Sequence, residues 1–304
     1  MVYRQVHRTG RISFNKINKQ MCYNANIEKR GNRSGGCSFV FGGIMKVVKV
    51  DLPQELKQVE IHTLADLHIG DKFANKDGIK ERIEYIKNTP NAYCILNGDL
   101  MNNATKTSVS DSYAEELTPM EQVEMCMELF EPIKDKIIAI TSGNHEKRTY
   151  NTQGIDITKL VAMQLRLIDR YSPTSCFVFL RIGKAKNNHG REGGQICYTL
   201  YCNHGSGGGR KEGAKAIRLA DMASIVDADI YIHSHTHLPM VMKQGYVRVS
   251  LSNSSIARVD KLFVNTSAML EYGGYGEAFE FKPSSQHSPV IYLDGCIKRF
   301  EAKL

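Results

Sequence analysis

Asp66-x-His68, Gly98-Asp99, Gly143-Asn144-His145-Glu146, His204 and His235-x-His237 follow one another down this 304-residue chain. Carboxylate, amide and imidazole groups ligate divalent cations, and the five clusters together supply enough of them for two ions. Calcium takes oxygen ligands alone, whereas imidazole suits manganese, iron, zinc or nickel. A mixed oxygen and nitrogen set therefore points to a pair of transition-metal ions, with manganese expected ahead of iron, zinc or nickel. One Asp-x-His pair recurs by chance in many chains of this size. Five such clusters, each closing an apolar run, do not.

The apolar runs are the elements that must position these residues. From Met45 onward, β-like runs alternate with helical stretches, the pattern of an α/β domain. Residues 59–65 read as a buried strand ending in the first cluster, 92–96 as a strand running into Gly98-Asp99, and 136–141 as a strand delivering Gly143 to Glu146. Apolar residues at 79, 83 and 86 predict an amphipathic helix closed by Pro90. Thr118-Pro119-Met120-Glu121 is an N-cap, a proline in the first turn and an acid, so a helix follows through Phe130. One further helix is predicted over 157–169 and another over 214–226. Residues 176–182 and 195–202 predict a β-hairpin with a long tip, leading to His204. Residues 228–232 predict a strand opening onto His235 and His237, and 241–304 read as mostly short strands and turns. Ligands at strand C-termini are expected, because the loops there converge on one rim of an α/β sheet.

In this order and spacing the chain resembles the calcineurin-like metallophosphoesterases, whose pattern is D-x-H, G-D, G-N-H-[DE], H and G-H-x-H. The likeness spans about Ile61 to Pro239 and departs at Ser234, where the pattern has glycine. A glycine there can supply a backbone shape that other residues resist, so a slightly altered loop is expected. The resemblance implies an α-β-β-α sandwich, two facing mixed sheets flanked by helices, formed by residues 45–304 as one domain. It implies Asp66, His68 and His237 on one metal, Asn144, His204 and His235 on the other, and Asp99 bridging them. It also implies that His145 is not a ligand but the acid that protonates a leaving group or steadies the phosphoryl oxygens. The implied reaction is hydrolysis of phosphate esters by a metal-activated water.

Within that reaction, His235-Thr236-His237-Leu238-Pro239 resembles the phosphodiesterase and nuclease branches. Met101-Asn102-Asn103 after Asp99 lacks the Asp-Arg-Gly of the protein Ser/Thr phosphatases. Phosphodiesters, with nucleic acid or nucleotide among them, are therefore expected ahead of monoesters. A metal-retaining scaffold module with little catalysis is the alternative from another class. Asn102 and Asn103 could reach a substrate phosphate. Gly205 to Lys211 superficially resembles a phosphate loop, but it lacks a Gly-Lys-Ser/Thr ending, which excludes a P-loop NTPase. Arg210 and Lys211 on that loop either reach toward substrate phosphate or belong to a plain surface loop. His233 is expected to pack near the site without binding metal, and His62, His189 and His287 read as ordinary packing or surface residues.

A net charge of +8 suggests a nucleic-acid partner, but residues 1–44 hold eight Lys or Arg against Glu28 alone and so account for all but one of those charges. The body is nearly neutral. The basic segment has no sustained period and is rich in Asn, Gly, Ser and Arg, so it reads as a disordered leader, or else as an arm gripping phosphate. Gly42-Gly43 can be encoded by a purine-rich ribosome-binding sequence just before Met45, which suggests an upstream-extended bacterial or phage frame starting natively at Met45. The eight cysteines include no C-x-x-C pair. Reduced thiols in a cytoplasm are the expectation, with no membrane partner. Removing residues 1–44 is expected to leave the melting temperature and hydrolysis of small diesters unchanged. A thermal melt and a diester assay check this; a drop in either would make the segment part of the fold.

Overall fold

The computed structural model describes residues 45–106, 108, 115–185, 193–207 and 209–304. The basic leader and the tip of the predicted hairpin, 186–192, lie outside the described residues. Twelve strands occur among them: β1 Lys46–Asp51, β2 Gln58–Leu64, β3 Ala92–Asn97, β4 Ile137–Thr141, β5 Tyr171–Ser172, β6 Ser175–Ile182, β7 Ile196–Asn203, β8 Ile230–His233, β9 Met240–Ser250, β10 Ser255–Asn265, β11 Val290–Asp294 and β12 Phe300–Lys303. The helices are α1 Lys76–Asn88, α2 Pro119–Phe130, α3 Glu146–Gln153, α4 Ile157–Gln164, α5 Glu212–Ile225 and the single turn α6 Gly274–Ala278. No helix among the described residues is long and apolar enough to cross a membrane.

The strands form two mixed six-stranded sheets, ordered β1-β6-β7-β8-β10-β9 and β12-β11-β2-β3-β4-β5. In the second sheet β2, β3, β4 and β5 run parallel, while β11 and β12 close the edge antiparallel. In the first sheet β7, β8 and β10 run parallel. The parallel strands are the ones that carry the ligand clusters, and they deliver their C-termini to one rim.

Alternation along each strand sorts side chains into three layers. Val59, Ile61, Ile95 and Ile138 from one sheet meet Leu200, Ile230, Ile232 and Val264 from the other in the layer between the sheets. Leu64, Cys94, Leu96 and Ile140 point the opposite way and pack under α1, α2 and α4. Tyr201, Tyr231 and Phe263 pack outward against Leu219 and Met222 of α5. Every residue of β3 is buried, which explains its unbroken apolar run, because both faces of a central parallel strand are covered. The helices confirm their sequence signals. Asn75 caps α1 through Gly78 N at 2.8 Å, and Ile79, Ile83 and Ile86 form its buried stripe. Thr118 and Glu121 make a complete capping box on α2.

Two expectations change. The helix predicted over 157–169 stops at Gln164. Arg166 turns left-handed at φ 61°, and its N–H bonds Met163 O while Leu167 N bonds Ala162 O at 2.8 Å. This is a Schellman cap made without its usual glycine, and it drives Leu165 and Leu167 into the core. The C-terminal part is not only short strands. β9 and β10 pair in unbroken antiparallel register over eleven residues each. The outer half of this hairpin exposes Val247, Val249 and Ile256, so its apolar residues do not alternate into a core.

Candidate metal centre

Three of the five clusters leave their strands through a sharp backbone reversal. Asp66 (φ 51°), His68 (47°), Asp99 (49°), His235 (65°) and His237 (53°) all lie in the left-handed region. That region is sparsely used by residues other than glycine, although Asp, Asn and His tolerate it best. The strain is held by hydrogen bonds between neighbouring loops. Asp66 N donates to Gly98 O at 3.1 Å, and Leu67 N and His68 N donate to Asp99 O at 2.9 and 3.1 Å. The two motif glycines serve close packing. A Cβ on Gly98 would lie 2.6 Å from Gly143 N, and one on Gly143 would overlap the Asp99 carboxylate.

Three overlapping groups of ligand atoms result, each converging within 4.8 Å: Asp66 with His68 and His237, His68 with Asp99 and His145, and Asp99 with His204 and His235. The first and third groups each combine residues from both sheets. Asp66 Oδ1 lies 3.3 Å from His237 Nε2, and His68 Nε2 lies 3.5 Å from the same nitrogen. Asp99 Oδ2 lies 3.1 Å from His204 Nε2, and Asn144 Oδ1 lies 3.2 Å from that nitrogen. All seven expected ligands therefore face one small volume.

The electrostatics suit cations. Burial disfavours charge on Asp99, but the His204 and His145 rings beside it hold its carboxyl well below the usual range. Burial likewise opposes charge on His204, yet the Asp99 carboxylate raises it to about 10. Burial and the neighbouring His204 push His235 down to about 4, and burial and His145 push His68 well down. Neutral imidazoles and ionised carboxylates are the ligating forms, so His204 would have to give up its proton to a dication bound there. Two buried carboxylates, 0% and 1% exposed, amid convergent ring nitrogens fit divalent ions, which would satisfy both at once.

Several supports were given no role by the five motifs, although one of them, Glu146, closes the third motif. Glu146 accepts from four backbone groups, Asp99 N (3.0 Å), Leu100 N (2.6 Å), Met101 N (3.1 Å) and Gly143 N (2.8 Å). It thereby ties the β3 loop to the β4 loop. Burial and the Asp99 charge push its carboxyl up to about 7, against the pull of those N–H groups. Asn97 joins the sheets, donating to Asn203 O and Ser234 Oγ and accepting from Thr141 Oγ1. Thr266 Oγ1 and the backbone N of His235 both donate to Asp66. Arg148, one turn beyond His145, donates to Asn102 O at 3.0 Å and places Nη2 3.1 Å from His145 Nε2. Its i, i+3 spacing from His145 is the one hint the sequence carried.

The other expected residues sit as follows. Ser234 keeps φ out of the left-handed region, and its hydroxyl accepts from Asn97 at 2.8 Å. The serine therefore alters no glycine-only geometry; it adds a hydrogen bond. Asn102 Oδ1 lies 3.3 Å from His68 Nδ1, and its amide nitrogen donates to Asp71 and Glu115. It stands behind the ring and orients it. Asn103 is fully buried, donating to His145 O and accepting from Thr149 Oγ1. Arg210 is exposed, with its guanidinium 5.5 Å from the centre of the Phe281 ring, and exposed Lys211 immediately precedes α5. His233 belongs to none of the three groups and contacts Asn265 Oδ1 at 2.8 Å.

Two facing mixed sheets with His and Asp clusters at their shared rim define a metallophosphoesterase architecture. Residues 60–239 match the calcineurin-like phosphoesterase family, and the chain belongs to it. The family acts with two divalent metal ions. Among solved structures, the chain is similar to a Streptococcus pneumoniae protein described as a predicted phosphoesterase, at 13% identity and TM-score 0.33, covering 81% of this chain and 90% of that one. It is similar to a metallophosphoesterase from Sphaerobacter thermophilus at 13% identity and TM-score 0.34, covering 78% and 84%. It is also similar to a Vps29 single mutant from Entamoeba histolytica at 11% identity and TM-score 0.35, covering 78% and 87%. No curated protein matches the chain. Family membership rests on the sequence match and not on these structures.

Glu146→Ala would orphan four buried N–H groups, each costing about 1–3 kcal/mol when left unpaired. The variant is expected to melt well below the parent and to lose metal from both ligand groups, since the two loops it joins carry Asp99 and Asn144. Differential scanning calorimetry and elemental analysis check both effects.

Proposed function

We propose that this protein hydrolyses phosphate diesters in preference to monoesters, at two divalent ions held by the seven residues of the rim. The observation that carries the reading is Asp99, whose carboxylate belongs to two of the three ligand groups at once. In the proposal Asp66, His68 and His237 hold one ion. Asn144, His204 and His235 hold the other, and Asp99 is shared. Ions bound there would acidify a water and neutralise charge on the phosphoryl oxygens.

The chain's own residues do the rest. His145 Nδ1 faces Asn102 O at 2.8 Å, and because a carbonyl only accepts, that nitrogen carries a proton. Arg148 only donates, so Nε2 is its acceptor in this geometry. A substrate phosphate would draw the guanidinium onto its oxygens and free Nε2, which would then take a proton from solvent before passing it to the leaving oxygen. One guanidinium suits the single negative charge of a diester better than the double charge of a monoester. Residues 271–282 span the loops bearing His68 and His204. Glu271 N donates to Phe73 O at one end, and Lys282 pairs with Glu212 near the other. Tyr272, Phe279 and Phe281 on this span are at least 36% exposed, which supports a nucleoside-bearing substrate through base stacking.

Comparing bis-p-nitrophenyl phosphate with p-nitrophenyl phosphate, and then oligonucleotides with cyclic dinucleotides, under manganese, nickel and zinc, tests the substrate class. A monoester preference would overturn it. Asp99→Asn keeps shape but removes the shared charge. Turnover is expected to fall by orders of magnitude with reduced metal in both groups; full activity with two ions bound would refute the assignment. His145→Ala should keep both ions while kcat falls about 10²–10⁴-fold, the usual worth of a positioned acid. The loss should be smaller with p-nitrophenol than with alkyl or nucleoside leaving groups. Equal losses would leave His145 a positioning group.

A further inference from the structure

Away from the metal rim, a cavity of about 450 Å³ opens on the outer face of the second sheet, between α1 and β11. Its walls are Glu60 and His62 of β2, Arg82 and Tyr85 of α1, Tyr292 of β11 and Gln286. None of the seven rim residues belongs to it. His62 is only 4% exposed, yet its Nε2 has no hydrogen-bond partner. The Glu60 carboxylate stands 3.4 Å away without hydrogen-bond geometry and accepts instead from the Tyr85 hydroxyl at 2.9 Å.

The tautomer of His62 follows from its other nitrogen. Arg82 Nη1 lies 3.4 Å from His62 Nδ1. A guanidinium only donates, so Nδ1 accepts and Nε2 carries the proton. Arg82 is itself half-buried and forms no ion pair among the described residues; burial works against its charge. A desolvated guanidinium without a counter-ion is costly, and it is the side chain best shaped for carboxylate or phosphate. A full cation whose one recorded acceptor is the neutral His62 Nδ1 thus shares a cavity wall with an Nε2–H that has only the off-geometry Glu60 carboxylate beside it. Glu81 also lines the cavity, but from the exposed surface of α1.

We infer that this cavity is a second ligand site, taking a small oxyanion, carboxylate or phosphate, on Arg82 and the Nε2–H of His62. The inference does not depend on the proposed reaction at the rim. Calorimetric titration of the metal-loaded full-length protein with inorganic phosphate, and separately with succinate, tests it and distinguishes the two sources. At least one anion should bind a site whose affinity falls about ten-fold or more in Arg82→Gln and in His62→Phe. Hydrolysis of bis-p-nitrophenyl phosphate should stay within about two-fold of the parent. Phosphate bound at the metals would be retained in both variants, so the two binding events separate. In oxyanion-free buffer Arg82→Gln should melt no lower than the parent, because it removes an uncompensated cation. The added anion should raise the melting temperature of the parent alone. Superimposable titrations of parent and variants would overturn the site. So would a variant that melts lower whether or not anion is present, since Arg82 would then be a purely structural group.

Discussion

Two carboxylates, Asp66 and Asp99, are buried where the two sheets open, and much of the molecule is arranged to keep them ionised there. Removing a carboxylate from water costs several kcal/mol unless charge and hydrogen bonds replace the solvent. Among the described residues, the side chains that form ion pairs with them are His145, His204 and His237, and none is a Lys or Arg. The replacement comes from imidazoles and from backbone N–H groups of His235 and His145. That choice leaves room for dications, whereas a lysine at the same point would occupy their place.

Satisfying both carboxylates requires loops from five strands to stop at one level. Parallel strands bring those loops to a common rim, and left-handed residues at the strand ends turn the side chains inward. The close approach of the β3 and β4 loops admits only glycine at Gly98 and Gly143. Glu146 gathers the backbone of both loops, and Asn97 pins β3 to the facing sheet. The polar residues packed around the ligands therefore act on position. Asn102 is an example: it lies behind His68 and steers the ring.

What could be read from the sequence follows from this division. The clusters that converge on the rim were legible because Asp and His have little reason to close a run of buried strand unless something binds them. The central strands were legible because β3 is apolar throughout, and α1 and α2 because their caps and stripes are complete. The supports were not. A fully buried Asn97 or Thr266 looks the same in sequence as any loop residue, and the burden on Glu146 is visible only once the N–H groups around it are placed. Arg166 ends α4 without the glycine that announces such a turn. The long β9–β10 hairpin hid because its outer valines and Ile256 face water, so no buried alternation marks it.

The two mixed groups each draw two residues from one sheet and one from the other: Asp66 and His68 against His237, and Asp99 against His204 and His235. The sheets thus act as the jaws of a caliper, with Ile61, Ile95, Leu200 and Ile232 filling the gap between them. Close-packed interiors transmit changes of a single methylene. The bite of the jaws, and with it the ionic radius they accept, is consequently a property of aliphatic side chains that never touch an ion. Metal preference in this fold can drift through its hydrocarbon layer while every ligand stays the same.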